Sequence, residues 1–126
     1  MTTMVKQSEC PPINVKSTGR IQYQMSIDDK NQRYIQLIAS TSGGFVSQNK
    51  VAVIDIQKIL MTVTDEAHFS STIFKRLFAG KSANNASFLA AVLRAEGVIA
   101  KSHRHTYCHV IDDIDAISYQ PKKAKS

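Results

Sequence analysis

Residues 88–102 read FLAAVLRAEGVIAKS, and the reading of this stretch decides the fold. Phe88, Leu89, Val92 and Leu93 recur at the three-and-four spacing that gives a helix one apolar face. Gly97 follows, a residue that enters the left-handed conformation of a helix stop without steric cost. Val98 and Ile99 are β-branched, and with Ala100 and Lys101 they form a basic segment with the character of a strand.

Upstream, Ser70 or Ser71 is placed to cap a helix whose Ile73, Phe74, Leu77 and Phe78 make a second apolar stripe, with Gly80 as its stop. Asn84 or Asn85 caps the helix that carries Phe88. Downstream, Val98–Lys101 and Thr106–Ile111 are expected to pair across residues 102–105. Residues 70–110 therefore read as two short helices, a turn and a two-stranded wing. Before them, Asp55 is a candidate N-cap for a helix over 56–63, where Ile56, Ile59, Leu60 and Val63 share a face.

The front of the chain has a different period. Ile21, Tyr23, Met25 and Ile27 alternate with Gln22, Gln24 and Ser26, as in a half-buried strand. Asp28-Asp29-Lys30-Asn31 is a turn cluster, Tyr34–Ala39 reads as a second strand, and Ser42-Gly43-Gly44 breaks it. Phe45-Val46 and Val51-Ala52-Val53 are candidates for further short strands. The expected architecture is α+β, an N-terminal antiparallel β-meander over 19–54 followed by a three-helix part with a C-terminal β-wing over 55–119. Residues 1–18 show no periodicity and contain Cys10-Pro11-Pro12, so they are expected to form a mobile arm. Residues 120–126 form a basic tail.

Composition points to an acidic partner. The 126 residues carry a formal net charge of +6, with a pI near 9.5. Between Lys75 and Arg104 lie six bases and one acid, Glu96, so this segment holds nearly all of the excess. No apolar run approaches the roughly 20 residues of a membrane span. The opening MTTMVKQSECPP lacks the apolar core of a secretion signal, and two cysteines, Cys10 and Cys108, give no disulfide framework. A cytoplasmic location is the expectation.

Over residues 70–110 the pattern resembles the winged helix-turn-helix superfamily. The segment LRAEGVIAK, Leu93–Lys101, matches the rhythm of leucine, helix end, glycine, two aliphatics and a base found in many of its members. The resemblance implies binding of nucleic acid, duplex DNA first, by a small regulator or mobile-element accessory protein. On that reading the helix that carries Phe88 enters the major groove with Ser87, Ala90, Ala91 and Arg94 outward, slim enough to approach base edges. Lys75, Arg76 and Lys81 clamp the phosphate backbone, and Lys101 and Arg104 act from the wing. The alternatives are a protein–protein adaptor and a single-strand binder that stacks bases on Tyr23, Tyr34 and Phe45. The exposed edges of the meander offer a route to a homodimer.

Residues 102–109, SHRHTYCH, concentrate His103, His105, Cys108 and His109. On a strand, His103, His105, Tyr107 and His109 share a face, and a His-x-His pair can hold zinc. The fourth ligand would have to be Cys10 or His68, and C-x-x-C pairs are absent from the sequence. Exposed wing histidines, with Cys108 buried as a small hydrophobe, are the expectation, and no metal or cofactor is assigned. No catalytic set is assigned either. Cys108 and His109 point to opposite faces of a strand, and Asp112, Asp113 and Asp115 read as a solvated turn. Gly80-Lys81-Ser82 lacks the upstream glycine of a phosphate-binding loop, because position 75 is Lys75.

Overall fold

The computed structural model describes residues 2–13, 19–41, 50–63, 68–78, 84–103 and 108–118. Four antiparallel strands run in chain order: β1 (Thr2–Cys10), β2 (Ile21–Asp28), β3 (Arg33–Ser40) and β4 (Lys50–Ala52). Helix α1 (Val53–Leu60) follows β4 without a break. Next come β5 (Phe69–Ser70), a 3₁₀ helix over Ser71–Phe78, helix α2 (Asn84–Ala95), β6 (Ile99–Lys101) and β7 (Cys108–Ile111). A 3₁₀ turn over Ala116–Ser118 completes the described chain. The short strands form a second sheet in the order β5-β7-β6.

The alternation read in the sequence sets the first sheet. Ile21, Tyr23 and Met25 of β2 and Ile35 and Leu37 of β3 are buried, while their neighbours Gln22, Gln24, Tyr34 and Gln36 are half-buried. The β2–β3 hairpin is held by Asp28, whose Oδ1 accepts from the backbone N–H groups of Lys30 and Gln32, both at 2.9 Å. Its Oδ2 accepts from the Tyr34 hydroxyl at 2.9 Å. Asn31 closes the turn with φ of 68°, a left-handed conformation that asparagine tolerates better than most residues. The Gln32 N–H, with help from Tyr34 and Lys30, holds the Asp28 carboxyl below its usual range.

The arm expected over residues 1–18 is instead, over residues 2–10, a full strand of this sheet. β1 pairs with β2 from Thr2↔Asp28 to Cys10↔Ile21, with a register shift between Met4 and Lys6. The segment MVKQSEC has no clean alternation because β1 is an edge strand, with most of its described side chains exposed and its cohesion coming from main-chain hydrogen bonds. Cys10 and Ile13 at its end are buried in the core, and burial pushes the Cys10 thiol up to about 11 against the opposing pull of Arg20.

Helix α2 stops as its sequence requires. The Val98 N–H donates to Leu93 O at 2.9 Å and the Gly97 N–H to Arg94 O at 3.2 Å, with Gly97 at φ of 86°. These are the two bonds of a Schellman stop, and Val98 and Leu93, both fully buried, make its apolar contact. The turn feeds directly into β6, where Ile99 pairs with Ile111 and Lys101 with His109. Helix α1 begins three residues earlier than Asp55 as cap implied, with Ala52 as a cap that makes no side-chain hydrogen bond. Asp55 sits instead in its first turn, where its charge favours the helix dipole.

Deleting residues 2–10 should lower the melting temperature by at least about 10 °C or abolish the cooperative transition, because it strips the β2 edge and opens the core at Cys10. Thermal unfolding followed by circular dichroism checks this; an unchanged transition would show that β1 adds nothing to the fold.

Candidate nucleic-acid interface

Helix α2, the expected reader of the major groove, lies in the centre of the molecule. Ala90 is fully buried and Ala91 is 3% exposed, so the slim outward face expected at these positions is an inward one. From Asn85 to Leu93 only Ser87 is partly exposed. A helix that is apolar nearly all round is a core helix. It packs on the 3₁₀ helix, on β6, and on β1 and β2 of the first sheet. Pro11, Pro12 and Ile13, from the supposed arm, share a cleft with Ala91, Arg94 and Ala95. The chain itself thus flanks the face that the sequence had left for a ligand.

Arg94 is half-buried and turned toward the second sheet. Its Nε donates to His109 Nδ1 at 3.0 Å, and its Nη2 donates to the Cys108 carbonyl at 3.1 Å. A guanidinium only donates, so Nδ1 of His109 must be the bare nitrogen and Nε2 carries the proton. That Nε2–H in turn donates to Ser71 Oγ at 2.9 Å. His109 is fully buried, not an exposed wing residue, and Cys108 is only half-buried. Strand pairing explains the inversion: β7 is the central strand, flanked by β5 and β6, and His109 faces Phe69, with their rings 5.5 Å apart. Burial first, and the neighbouring Arg94 charge second, lower the His109 pKa to about 4.

The other bases divide by exposure. Lys75 and Arg76, in the second half of the 3₁₀ helix, and Lys101, at the end of β6, are exposed. None of the three makes an ion pair or side-chain hydrogen bond among the described residues. Lys81 and Arg104 lie outside the described residues, as do His105, Tyr107, Phe45, Gly80 and the 120–126 tail. The Ser71–His109 bond ties the start of the 3₁₀ helix to β7, and Lys101 sits directly across from His109 on β6. These bases are thus carried on neighbouring elements.

Sequence reading missed Glu96. This lone acid among the bases accepts from Lys6 Nζ at 2.7 Å and from the buried Tyr23 hydroxyl, which pins the end of α2 to β1 and β2. Burial, with the Glu96 bond, raises the Tyr23 pKa. Tyr23 is buried and so is not presented for base stacking, while Tyr34 is half-buried with its hydroxyl donating to Asp28. Asp112, Asp113 and Asp115 are exposed, and Asp113 caps its own turn by accepting from the Asp115 N–H at 3.1 Å. Among the described residues no three His, Cys, Asp or Glu side chains converge as metal ligands. No described helix is long and apolar enough to cross a membrane.

The order of elements and the two small antiparallel sheets are compatible with a winged helix-turn-helix but also with other α+β folds. Comparison with known proteins finds no matching family model, no matching curated protein and no matching solved structure.

Two outcomes follow from the Arg94–His109–Ser71 chain. Arg94→Ala should cost about 1–3 kcal/mol of stability, because it strips a buried imidazole nitrogen and a carbonyl of their donor; urea unfolding measures it, and an unchanged midpoint would mean that the contact contributes nothing. His109 has a folded pKa below its ordinary value near 6.5, so the unfolded chain binds the extra proton. Its contribution is present above pH 6.5 and is lost as pH falls toward 4, by up to about 3 kcal/mol. Unfolding free energies measured between pH 7 and 4.5 should fall accordingly, and a flat profile would exclude a buried neutral His109.

Proposed function

We propose that the chain binds nucleic acid, duplex DNA first, through phosphate contacts made by Lys75 and Arg76 on the 3₁₀ helix and by Lys101 on the wing. Lys81 and Arg104 belong to the same set by sequence. The observation that supports this reading is the contrast in how charges are used. The acids near the first sheet are engaged, Glu96 by Lys6 and Glu9 by Arg20. Lys75, Arg76 and Lys101 in the second part stand exposed with no carboxylate on them among the described residues. Exposed, uncompensated Lys and Arg side chains attract the phosphate backbone and release its condensed counterions.

The manner of binding differs from insertion of a recognition helix. Helix α2 has too little free surface to reach base edges, so Arg94 acts as a positioning residue that fixes the wing strand through His109 and the Cys108 carbonyl. Ser87, partly exposed, is the remaining α2 side chain of the original set with access to a ligand. Contacts of this kind fix a protein on the duplex without reading sequence, so little discrimination between sequences is expected.

Fluorescence anisotropy with a random duplex tests the reading. With about four phosphate contacts, log K should fall against log salt with a slope near −3 to −4. Lys75→Ala, Arg76→Ala and Lys101→Ala should each weaken all sequences alike and reduce the slope by about one. Absence of binding to duplex, single strand or RNA at low salt would overturn the reading in favour of a protein partner.

A further inference from the structure

Arg33 opens β3 on the strand face that carries Ile35 and Leu37, and it is 9% exposed. Its Nη2 is buried and has no hydrogen-bond partner, and no carboxylate pairs with it among the described residues. The other orphan of this kind among the described residues is Ser26 Oγ. Arg33 lines a cavity of about 310 Å³, together with Lys6, Met25, Glu96 and Ile117. Ser26 also borders it, but Ser26 pairs with Tyr34 and Arg33 with Ile27, so the two side chains lie on opposite faces of the sheet. A buried guanidinium without a counter-charge is among the costliest arrangements a fold can keep. An unsatisfied buried cation on the wall of a cavity calls for a ligand that satisfies it.

We propose that this cavity binds a small organic carboxylate, its charged end on Arg33 and its apolar body against Met25 and Ile117. A planar carboxylate matches the fork of a guanidinium, with two parallel N–H donors. The charge count selects a monoanion. One arginine is available, because Lys6 is already engaged by Glu96 at 2.7 Å. The Glu96 carboxylate in the same wall repels a second negative charge, which disfavours phosphate. The volume lies at the lower end of the range for small-molecule sites. Burial lowers the Arg33 pKa, as expected of a cation deprived of water before its partner arrives. An occupant would bridge β2 and β3 to the α2 stop and the Ala116–Ser118 turn, and so stabilise the fold.

The test uses the full chain with acetate, hexanoate and benzoate as carboxylate probes, hexanamide and benzamide as neutral isosteres, and inorganic phosphate. At about ten times its dissociation constant, a carboxylate should raise the melting temperature by roughly 5 °C. The amides and phosphate should leave it unchanged, and the amide resonances of Ser26, Arg33 and Ile117 should shift with the carboxylate alone. Arg33→Met should lose at least tenfold in carboxylate affinity while melting no lower than the unliganded parent, since an apolar chain of similar length replaces an unpaired charge. Should that variant not fold, Arg33→Gln serves, with a comparable loss of carboxylate affinity because the neutral amide lacks the charge and the two-pronged donor. Equal shifts from acids and amides, retained affinity in either variant, or no response to any probe would overturn the proposal, the last leaving a cavity that holds water only.

Discussion

Everything in this molecule is arranged around the need to cover α2 on all sides. A surface helix shows one apolar stripe and needs one partner, but Ala86, Phe88, Leu89, Ala90, Ala91, Val92 and Leu93 are all buried. One sheet cannot enclose a helix. The first sheet therefore covers one side, the 3₁₀ helix with Phe74 and Phe78 another, and β6, delivered by the Gly97 turn, a third. The alanines matter as much as the large residues, because a side chain with no atom beyond Cβ lets a neighbouring backbone come close. The conversion of β1 from a loose arm into a strand belongs to the same requirement, since β1 and the Cys10–Ile13 segment meet α2 where the sheet would otherwise end.

Polar groups clip this buried helix to both sheets at its C-terminal end. Arg94 reaches β7, and Glu96 reaches β1 and β2 through Lys6 and Tyr23. The two residues are one position apart on either side of Ala95, so opposite charges leave the helix in different directions. A buried polar pair adds little net stability over an apolar one, but its geometry admits few alternatives. The apolar contacts of α2 are numerous and forgiving. The guanidinium on a particular imidazole nitrogen and the carboxylate on a particular phenol fix the rotation of the helix about its axis and its height between the sheets.

What the sequence made legible was whatever depends on local spacing. The alternation of β2 and β3, the Asp28–Asn31 turn, the inward stripe of the 3₁₀ helix, the Gly97 stop and the β6–β7 pairing all follow from residues close in the chain. The misreadings share a physical cause. Ala is neutral in a periodicity argument, so Ala90 and Ala91 counted as outward merely for being small, although they pack equally well against a sheet. His109 read as a wing polar because its burial comes from β5, a two-residue strand too short to register in the sequence. β1 was missed because an edge strand owes its place to backbone pairing. Arg94 read as an outward base, and Glu96 and Arg33 were given no structural role; the contacts of Arg94 and Glu96 lie on elements far away in the chain.

The distribution of charge then separates what the fold uses from what it leaves over. Lys6 and Arg94 tie elements of the structure together through Glu96 and His109, and Arg20 meets Glu9 at the surface. Lys75, Arg76 and Lys101 do nothing for it that the described contacts reveal, and a solvated Lys or Arg costs little wherever it sits. Arg33 differs from both groups. An exposed base needs no explanation beyond solubility, whereas a buried, unpaired one opposes folding and persists only if something else compensates. Met or Leu at position 33 would extend the apolar face of Ile35 and Leu37 at lower cost. The fold keeps the guanidinium on the wall of a cavity, and an anion entering that cavity removes the penalty the empty protein carries.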